Sequence, residues 1–266
     1  MRYWLMTSLF TFCAFYHVQM FNKILPRTKM PTNTRKYLDT LTKDQLKEIW
    51  RTADAVCFDV DSTIVQEEGI DELAEFCGVG EAVKQWTIQA MGGNIRFRTA
   101  LETRLNMCNL TLEQLERYKK EKPLTLTAGI KELIGHLHSE KIPVFLISGG
   151  FRQLNVPLAH RLNIPSENVF SVELLFDSDG RYHGFNKNNP TSDSGGKTKV
   201  VHRLKDKYGF KRLIMIGDGA TDMETCPPAD GFIGFGGNVI RDKVREHSPW
   251  FVTSFQELLD ELKVSN

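Results

Sequence analysis

The sequence has few cysteines and little net charge. Five of its 266 residues are Cys, and none stands in a C-x-x-C pair or at Cys/His ligand spacing. We therefore expect neither a disulfide framework nor a zinc site, and a reducing compartment fits best. No Cys has a partner nearby in the sequence that would make it a nucleophile. Because 34 basic side chains nearly cancel 33 acidic ones, no global field attracts nucleic acid or acidic membranes.

Acidic residues are absent from the start of the chain up to Asp39, and residues 3–18 are apolar and aromatic. This run is shorter than the ~20 apolar residues that span a membrane, and no small-x-small cleavage site follows it. Three interpretations stay open: an organelle-targeting peptide, an anchor, and a cytoplasmic chain that starts at Met30. We expect residues 1–40 to be a poorly ordered or targeting extension of a cytoplasmic protein without stable membrane association.

Capping boxes and apolar periodicity predict the helices. Thr42 with Gln45 begins a helix that runs to about residue 52 and leads into an apolar strand at Ala55. After Thr63 the pattern is helical for about sixty residues, with a second capping box at Thr111. The sequence therefore predicts an all-helical insertion directly after the first strand.

Strands and helices alternate in the rest of the chain. Strands are predicted at residues 143–147, 169–176, 212–216, 231–234 and 250–252. This alternation predicts an α/β fold with a doubly wound, mostly parallel sheet. Asp179-Gly180 predicts a hairpin appended to that sheet.

Three predicted strands end in short polar motifs. Asp59-Val60-Asp61 follows the first strand, Ser148-Gly149-Gly150 follows the second, and Gly217-Asp218 leads to Asp222 after a later one. The carboxyl ends of parallel strands are neighbours, and open α/β sheets bind their ligands there. Clustered carboxylates need a cation or a shared proton, and oxygen ligands without His or Cys favour Mg²⁺. Taken singly, each motif is also typical of a turn or a helix cap.

Two glycine motifs do not fit the nucleotide-binding patterns. The stretch that ends in Lys197-Thr198 has Thr191 where a P-loop needs glycine, and no strand leads directly into it. Gly217-x-Gly219 has Asp222 at the third glycine position of the dinucleotide fingerprint. Lys197 can still bind an anion, and a solvated surface lysine is the alternative.

The motifs, in this order, resemble those of haloacid-dehalogenase-type phosphohydrolases. The resemblance rests on Asp59-x-Asp61-x-Thr63, Ser148, Lys197 and Gly217-Asp218-x-x-x-Asp222. Residues 67–73, 90–93, 146–151 and 216–223 are, more closely, similar to the phosphoserine phosphatases of that superfamily. The resemblance covers about residues 46–262 and implies a Rossmann-like core of residues 41–66 and 124–266, with a helical cap of residues 67–123.

The resemblance also implies roles for the strand-end residues. Asp59 is expected to be the nucleophile that forms an aspartyl-phosphate, and Asp61 the general acid and base. Asp59, the backbone carbonyl of Asp61 and Asp218 are expected to bind Mg²⁺, with Asp222 in support. The substrate is expected to contact Ser148, Gly149, Lys197 and Thr221 in the core, and Glu68, Met91, Phe97 and Arg104 in the cap.

For the cap residues, a structural interpretation stays open. Met91 and Phe97 also fit a hydrophobic core, and Glu68 and Arg104 also fit an exposed surface. The expected activity is Mg²⁺-dependent hydrolysis of O-phosphoserine, the last step of serine biosynthesis. Alternatives are a related phosphatase or phosphotransferase for another small phosphomonoester, and a catalytically silent binding protein of the same fold. We expect the substrate to be a small molecule and expect no nucleic-acid partner. A homodimer is the oligomeric state to test.

Overall fold

The computed structural model describes residues 31–91 and 95–264, with the backbone alone for residues 89–91. In this part of the chain the strands are β1 (Ala55–Phe58), β2 (Val144–Phe151), β3 (Val169–Val172), β4 (Leu174–Phe176), β5 (Tyr182–Phe185), β6 (Leu213–Gly217), β7 (Gly231–Phe235) and β8 (Trp250–Val252). The α-helices are α1 (Thr32–Leu38), α2 (Lys43–Arg51), α3 (Gly69–Phe76), α4 (Gly80–Met91), α5 (Phe97–Cys108), α6 (Leu112–Glu121), α7 (Ile130–Ser139), α8 (Arg152–Arg161), α9 (Gly196–Tyr208), α10 (Ala220–Met223), α11 (Asp242–His247) and α12 (Phe255–Lys263).

Six strands form one parallel sheet in the order β3-β2-β1-β6-β7-β8. Strands β2 and β3 lie on one side of β1, and the chain then crosses to β6 on the other side of β1. The order therefore reverses between β1 and β6, which is where such sheets open a crevice for a ligand. The predicted doubly wound α/β fold is confirmed.

Both faces of this sheet are covered, which is why its strands are apolar throughout. Val56 and Phe58 of β1 pack into one hydrophobic cluster with helices α2, α7 and α12. Ala55 and Cys57 point to the other face and pack with α1 and α9. Because alternate residues of β1 reach opposite faces, the strand is rigidly held and its carboxyl end is a fixed platform for the residues that follow.

Helices α3, α4, α5 and α6 form the predicted helical insertion, which we call the cap. The capping box of Thr111 with Gln114 begins α6, as predicted, and that of Thr42 with Gln45 begins α2. Leu105 of α5 and Leu115 of α6 lie in a third hydrophobic cluster, which also contains Phe151 and Val172 from the sheet. The cap is therefore packed against the edge of the core. The boundaries of the core and cap stay a prediction.

The structure differs from the prediction in the third strand. Residues 169–176 form two strands, because β3 ends at Val172 and β4 leaves the main sheet to pair with β5. In this hairpin Leu174 is opposite Phe185, and both side chains are buried beneath the cap. The predicted turn at Asp179-Gly180 joins the two strands, and Gly180 adopts a φ of 74°.

The expected poorly ordered extension, residues 1–40, is helical near its carboxyl end. Residues 32–38 form α1, and Leu38 is 2% exposed in the cluster that contains Phe232. The hydroxyl of Tyr37 donates a hydrogen bond to the backbone carbonyl of Asp230 at 3.2 Å. The predictions for residues 1–29 and Met30 lie outside the described residues. Among the helices that the structure describes, none is long and apolar enough to cross a membrane.

Candidate active site

Two aspartates follow the central strand. Asp59 comes directly after β1 and is 8% exposed, and its Oδ1 accepts a hydrogen bond from the backbone N–H of Val60 at 2.7 Å. The chain then turns through Ser62, whose φ of 54° lies in the left-handed region. Between them, Asp61 accepts hydrogen bonds from the Gly69 N–H at 2.9 Å and from the Ser148 hydroxyl at 3.3 Å. Both carboxylates thus face the crevice at the switch point of the sheet.

The surroundings of Asp61 favour its protonated form. Burial, together with the charges of Glu68 and Asp59, raises the pKa of Asp61 to about 8. A carboxyl group with this pKa holds its proton near neutral pH and can donate it to a leaving group. Gly150 makes this close packing sterically possible, since a Cβ there would lie 2.6 Å from Asp61 Oδ2.

Ser148-Gly149-Gly150, expected as a polar motif that follows a strand and with a tight turn as the alternative, is instead the last part of that strand. β2 continues to Phe151, with an irregular register against β3 between Ile147 and Phe151. The Ser148 hydroxyl accepts a hydrogen bond from the Gly150 N–H at 2.8 Å and is fully buried. The motif therefore lies in the wall of the crevice, next to Asp61.

Lys197 connects two of the aspartates. Its Nζ lies 2.7 Å from Asp59 Oδ1 and 2.6 Å from Asp222 Oδ1, and all three residues are buried. Burial lowers the pKa of Lys197, but the carboxylates of Asp222 and Asp59 raise it by more, so it lies above its ordinary value. The ammonium group therefore stays charged beside Asp59, where it can attract an anion. The alternative of a solvated surface lysine is wrong.

Asp218 belongs to a second chain of polar contacts. Its Oδ1 accepts a hydrogen bond from the Thr63 hydroxyl at 3.1 Å, and its Oδ2 accepts one from Arg241 Nε at 2.6 Å. The same guanidinium donates from Nη2 to Glu68 Oε1 at 2.8 Å, and the Ser62 hydroxyl donates to that oxygen as well. Arg241 thus connects the core carboxylate of Asp218 to Glu68, near the start of the cap.

The donor set of the crevice fits a divalent cation. One carboxylate oxygen from each of Asp59, Asp218 and Asp222 lies within 4.8 Å of the others, and all three residues are buried. Burial and the charge of Asp59 raise the pKa of Asp222 well above its usual value, and burial also raises that of Asp218. Three buried carboxylates are costly to ionise together, and a bound cation with oxygen ligands offsets that cost. The geometry therefore provides a site that a divalent metal ion can fill.

A cavity of about 580 Å³ lies between these residues and the cap. On the cap side it is lined by Glu68, Ile70, Phe97, Leu101 and Arg104. Burial lowers the pKa of Arg104, although Asp71 and Glu68 act in the opposite direction. The Phe97 ring lies close above the strand end, 3.3 Å from the position of a Cβ on Gly149. The cavity thus has carboxylates at its base and a guanidinium in its roof.

The structure brings most of the predicted site residues together. The cavity is lined by Asp59, Asp61, Glu68, Phe97, Arg104, Gly149, Lys197, Asp218 and Thr221. Ser148 and Asp222 lie just beneath, where they contact Asp61 and Lys197. The Met91 side chain lies outside the described residues. Phe97 and Arg104 are both partly exposed to the cavity, so neither is a plain core or surface residue.

Two residues at this site were not identified from the sequence. Arg241 immediately precedes α11, and Asn238 lies in the loop between β7 and α11. The Asn238 amide donates to the Thr127 hydroxyl at 2.7 Å and to the Ser62 carbonyl at 3.1 Å, which fixes the turn after Asp61. Neither residue stands in a motif next to a strand end. Their contacts to residues 62–68 span more than 170 positions of sequence, which no local pattern can indicate.

Comparisons with known proteins agree with this arrangement. The family model "haloacid dehalogenase-like hydrolase" matches residues 53–230. The phosphoserine phosphatase of Bos taurus is 53% identical over 223 residues, which cover 84% of this chain and 99% of the bovine protein. The chloroplastic phosphoserine phosphatase of Arabidopsis thaliana is 46% identical and covers 82% of this chain and 75% of the plant protein.

A solved structure described as a phospho-aspartyl intermediate analogue of phosphoserine phosphatase has the same fold. It is similar with a TM-score of 0.67 and 27% identity, and the match covers 78% of this chain and 98% of that one. Fold, motif order and sequence identity over most of the chain all agree. The chain therefore belongs to the haloacid dehalogenase-like hydrolase family, among its phosphoserine phosphatases.

Proposed function

We propose that this enzyme hydrolyses O-phosphoserine to serine and phosphate, the last step of serine biosynthesis, with Asp59 as nucleophile and Asp61 as general acid and base. The observation that carries the proposal is that Asp59 and Asp61 follow the same strand but lie in different surroundings. Asp59 lies beside the charged Lys197, whereas Asp61 lies where its proton is retained. A carboxyl group that retains its proton can act as the acid, and its neighbour beside a lysine is placed to act as the nucleophile.

In the first step a carboxylate oxygen of Asp59 attacks the phosphorus atom, and the bond from phosphorus to the serine oxygen breaks. Asp61 gives its proton to that leaving oxygen, so serine departs as a neutral alcohol. Lys197, the Ser148 hydroxyl and the Gly149 N–H are assigned to the phosphoryl oxygens, and Thr221 to the rim of the cavity. Their positive charge and dipoles stabilise the transferring group.

In the second step water attacks the aspartyl-phosphate on Asp59. Asp61, now deprotonated, accepts a proton from that water, and phosphate leaves as the Asp59 carboxylate is restored. The burial that retains the proton on Asp61 in the first step also makes it an effective base in the second. Each step therefore uses the same residue in its opposite protonation state.

We assign Mg²⁺ as the divalent ion, held by Asp59, Asp218 and the backbone carbonyl of Asp61, with Asp222 in support. When bound, such an ion supplies positive charge that reduces repulsion between the phosphate and the carboxylates. The support for this assignment is the all-oxygen donor set. Lys197 and Arg241 already contact Asp222 and Asp218, so they orient these carboxylates.

The cap residues are assigned to the amino-acid part of the substrate. Arg104 is assigned to the substrate carboxylate, and Glu68 to the ammonium group. Both described hydrogen bonds to Glu68, from Ser62 and Arg241, reach Oε1, so Oε2 is the atom we assign to the ammonium. Phe97, over Gly149, covers the phosphoryl site. Met91 is assigned to the same substrate side on family position alone.

A panel of phosphomonoesters tests this function. We expect O-phosphoserine to have a higher kcat/KM than phosphoethanolamine, which lacks the carboxylate, and phospholactate, which lacks the ammonium group. p-Nitrophenyl phosphate, which has neither group, serves as a reference for the core residues alone. Equal kcat/KM for all four substrates would support a phosphatase for another phosphomonoester, and transfer of phosphate to an added alcohol would support a phosphotransferase. No turnover of any substrate would support a silent binding protein.

We also propose a cytoplasmic homodimer that acts on a small molecule and not on nucleic acid. The near-balance of charges supports the absence of a nucleic-acid partner. Organelle targeting by residues 1–29 is the alternative for the compartment. Mass spectrometry of the native amino terminus together with cell fractionation distinguishes the two, and light scattering measures the assembly.

A further inference from the structure

Helix α5 is attached to the core near both of its ends. Beyond its carboxyl end, the Tyr182 N–H donates to the Leu110 carbonyl at 2.9 Å, and the Leu112 N–H donates to the Gly180 carbonyl at 2.8 Å. These backbone bonds fix the cap to the β4–β5 hairpin. With twelve residues, α5 is about 18 Å long, so its other end needs a separate attachment. Phe97, Leu101 and Arg104, which line the cavity, lie on this helix.

Arg98 supplies an attachment at the amino-terminal end. Its Nη2 donates to the Lys187 carbonyl and to the Ser192 hydroxyl, both at 3.3 Å, and its Nε donates to the Ser192 carbonyl at 3.4 Å. The guanidinium also lies 3.3 Å from Asp193 Oδ2. One turn later, Glu102 accepts a hydrogen bond from Lys187 Nζ at 3.2 Å. One face of α5 therefore contacts the loop of residues 187–193 through the side chains of Arg98 and Glu102, and the loop contributes both backbone carbonyls and side chains.

The loop of residues 187–193 contacts α5 on one side and lines the cavity of the candidate active site on the other. Thr191, Asp193 and Ser194 line the cavity, and the chain continues directly into Gly196 and Lys197. Arg98 itself does not line the cavity. A cation in the first turn of a helix opposes the helix dipole, so the position of Arg98 is explained by its partners in the core and not by helix stability. The contacts are partly exposed, with 33% of the Arg98 side chain accessible.

We propose that Arg98 is a positioning residue that latches the cap to the loop of residues 187–193 and so holds α5 in the substrate-binding position. The hairpin end of α5 is fixed by backbone bonds, whereas the polar contacts at the Arg98 end are partly exposed and lie beside the apolar contact of Phe97 with Gly149. The cap thus opens at the Arg98 end. This inference rests on the proposed function, because Arg104 and Phe97 serve the substrate only when α5 is docked.

Loss of the latch should lower the fraction of enzyme in the closed form. Apparent affinity falls in proportion to that fraction, so Arg98→Ala should raise KM for O-phosphoserine about tenfold. The kcat value should stay within about threefold of the parent value, because saturating substrate restores closure. p-Nitrophenyl phosphate has neither the carboxylate assigned to Arg104 nor the ammonium group assigned to Glu68. Its KM should therefore change less than about twofold.

Matched variants separate the latch from a general effect. Arg117→Ala removes a cap arginine that has a 3.3 Å ion pair within the cap, to Glu121, and should leave KM unchanged. Arg98→Lys should be intermediate, since one ammonium group cannot reach all the acceptors of the guanidinium. Asp193→Asn should raise KM in the parent but add little to Arg98→Ala, because the two residues act through one contact.

Hydrogen exchange without substrate tests the latch independently of the activity. In Arg98→Ala, amides in the first turns of α5 should exchange about tenfold faster, and amides of α2 should not change. If the parent enzyme does not hydrolyse O-phosphoserine, the proposed function is wrong. The exchange rates of the α5 amides still show whether Arg98 holds the cap to the loop. Unchanged exchange in α5 would overturn the inference. An equal loss of kcat on both substrates in the variant would also overturn it, because that result indicates a structural role.

Discussion

At the scale of single residues, the site is built from partnered charges that are buried or partly buried. Lys197 lies between Asp59 and Asp222, and Arg241 lies between Asp218 and Glu68. A buried charge without a partner costs far more free energy than a paired one. Asp59 and Asp222 thus share one base and Asp218 and Glu68 share the other, whereas the described partners of Asp61 are a backbone amide and a hydroxyl.

The role of Asp61 predicts the effect of Asp61→Asn. The amide has nearly the same shape but can neither give nor accept the proton, so kcat for O-phosphoserine should fall by about 10²- to 10⁴-fold. Steady-state phosphate release measures the change. Asp179→Asn makes the same chemical change at the exposed hairpin turn and should leave kcat unaltered. A kcat within tenfold of the parent value in Asp61→Asn would refute the acid–base role.

The role of Arg104 predicts a selective loss. Removal of one partner of a desolvated charged contact costs roughly 2–5 kcal/mol, so Arg104→Ala should lower kcat/KM for O-phosphoserine by about 30-fold to a few thousandfold. Hydrolysis of p-nitrophenyl phosphate should fall far less. Arg104→Lys should not restore the parent value, because lysine lacks the paired donors that bind a carboxylate. Equal losses on both substrates, or full activity of Arg104→Lys, would instead make Arg104 a structural residue.

At the scale of secondary-structure elements, helices on both faces keep the central strands in place. Trp50 of α2 is fully buried, and its indole N–H donates to the backbone carbonyl of Leu258 in α12 at 3.1 Å. The contact joins a helix from the start of the core to one from its end. Because both helices pack on the face of β1 that holds Phe58, they support the strand from which Asp59 follows.

This contact predicts a stability loss for Trp50→Phe. The substitution keeps most of the apolar area but removes the indole hydrogen bond to the Leu258 carbonyl, which costs about 0.5–1.5 kcal/mol of the free energy of unfolding. Urea unfolding measures the difference. Trp86→Phe, at a partly exposed position of α4, should cost less. If Trp50→Phe is as stable as the parent protein, the indole hydrogen bond does not contribute.

Local patterns were sufficient for some elements and not for others. The capping boxes at Thr42 and Thr111 are short-range contacts, so the sequence predicts where those helices begin. The break between β3 and β4 is set by pairing of Leu174 with Phe185, eleven residues later, and a continuous apolar run does not indicate it. The tight turn considered at Ser148 was wrong for the same reason, since β2 continues to Phe151, which pairs with Val172 of β3, and Ser148 contacts the distant Asp61.

The candidate site shows the same division between short-range and long-range information. The aspartates and Lys197 stand in motifs whose order indicates their shared location. Arg241 and Asn238 reach the site from a distant loop and are recognisable only in the fold. The sequence also gives no sign that the Cys77 and Cys108 thiols, at the ends of α3 and α5, meet in a hydrogen bond that lowers the pKa of Cys77.

At the scale of the whole molecule, the topology of the sheet brings together the residues that we propose are catalytic. The chain crosses from β1 outward to β2 and later returns to β6, so Asp59, Ser148 and Asp218 come from three adjacent strands. The cap, inserted directly after β1, covers the same ends. One switch point thus brings together the carboxylates, the groups that we propose bind phosphate, and the cap. The central claim is that this arrangement transfers the phosphoryl group to Asp59.

Trapping the covalent intermediate tests that claim most directly. The enzyme is mixed with radiolabelled O-phosphoserine, quenched in acid within one turnover and digested, and the labelled peptide is identified. We expect the label on the peptide that contains Asp59 and no label in Asp59→Asn, whose amide is a poor nucleophile. Label on another residue, or label retained in Asp59→Asn, would contradict the account.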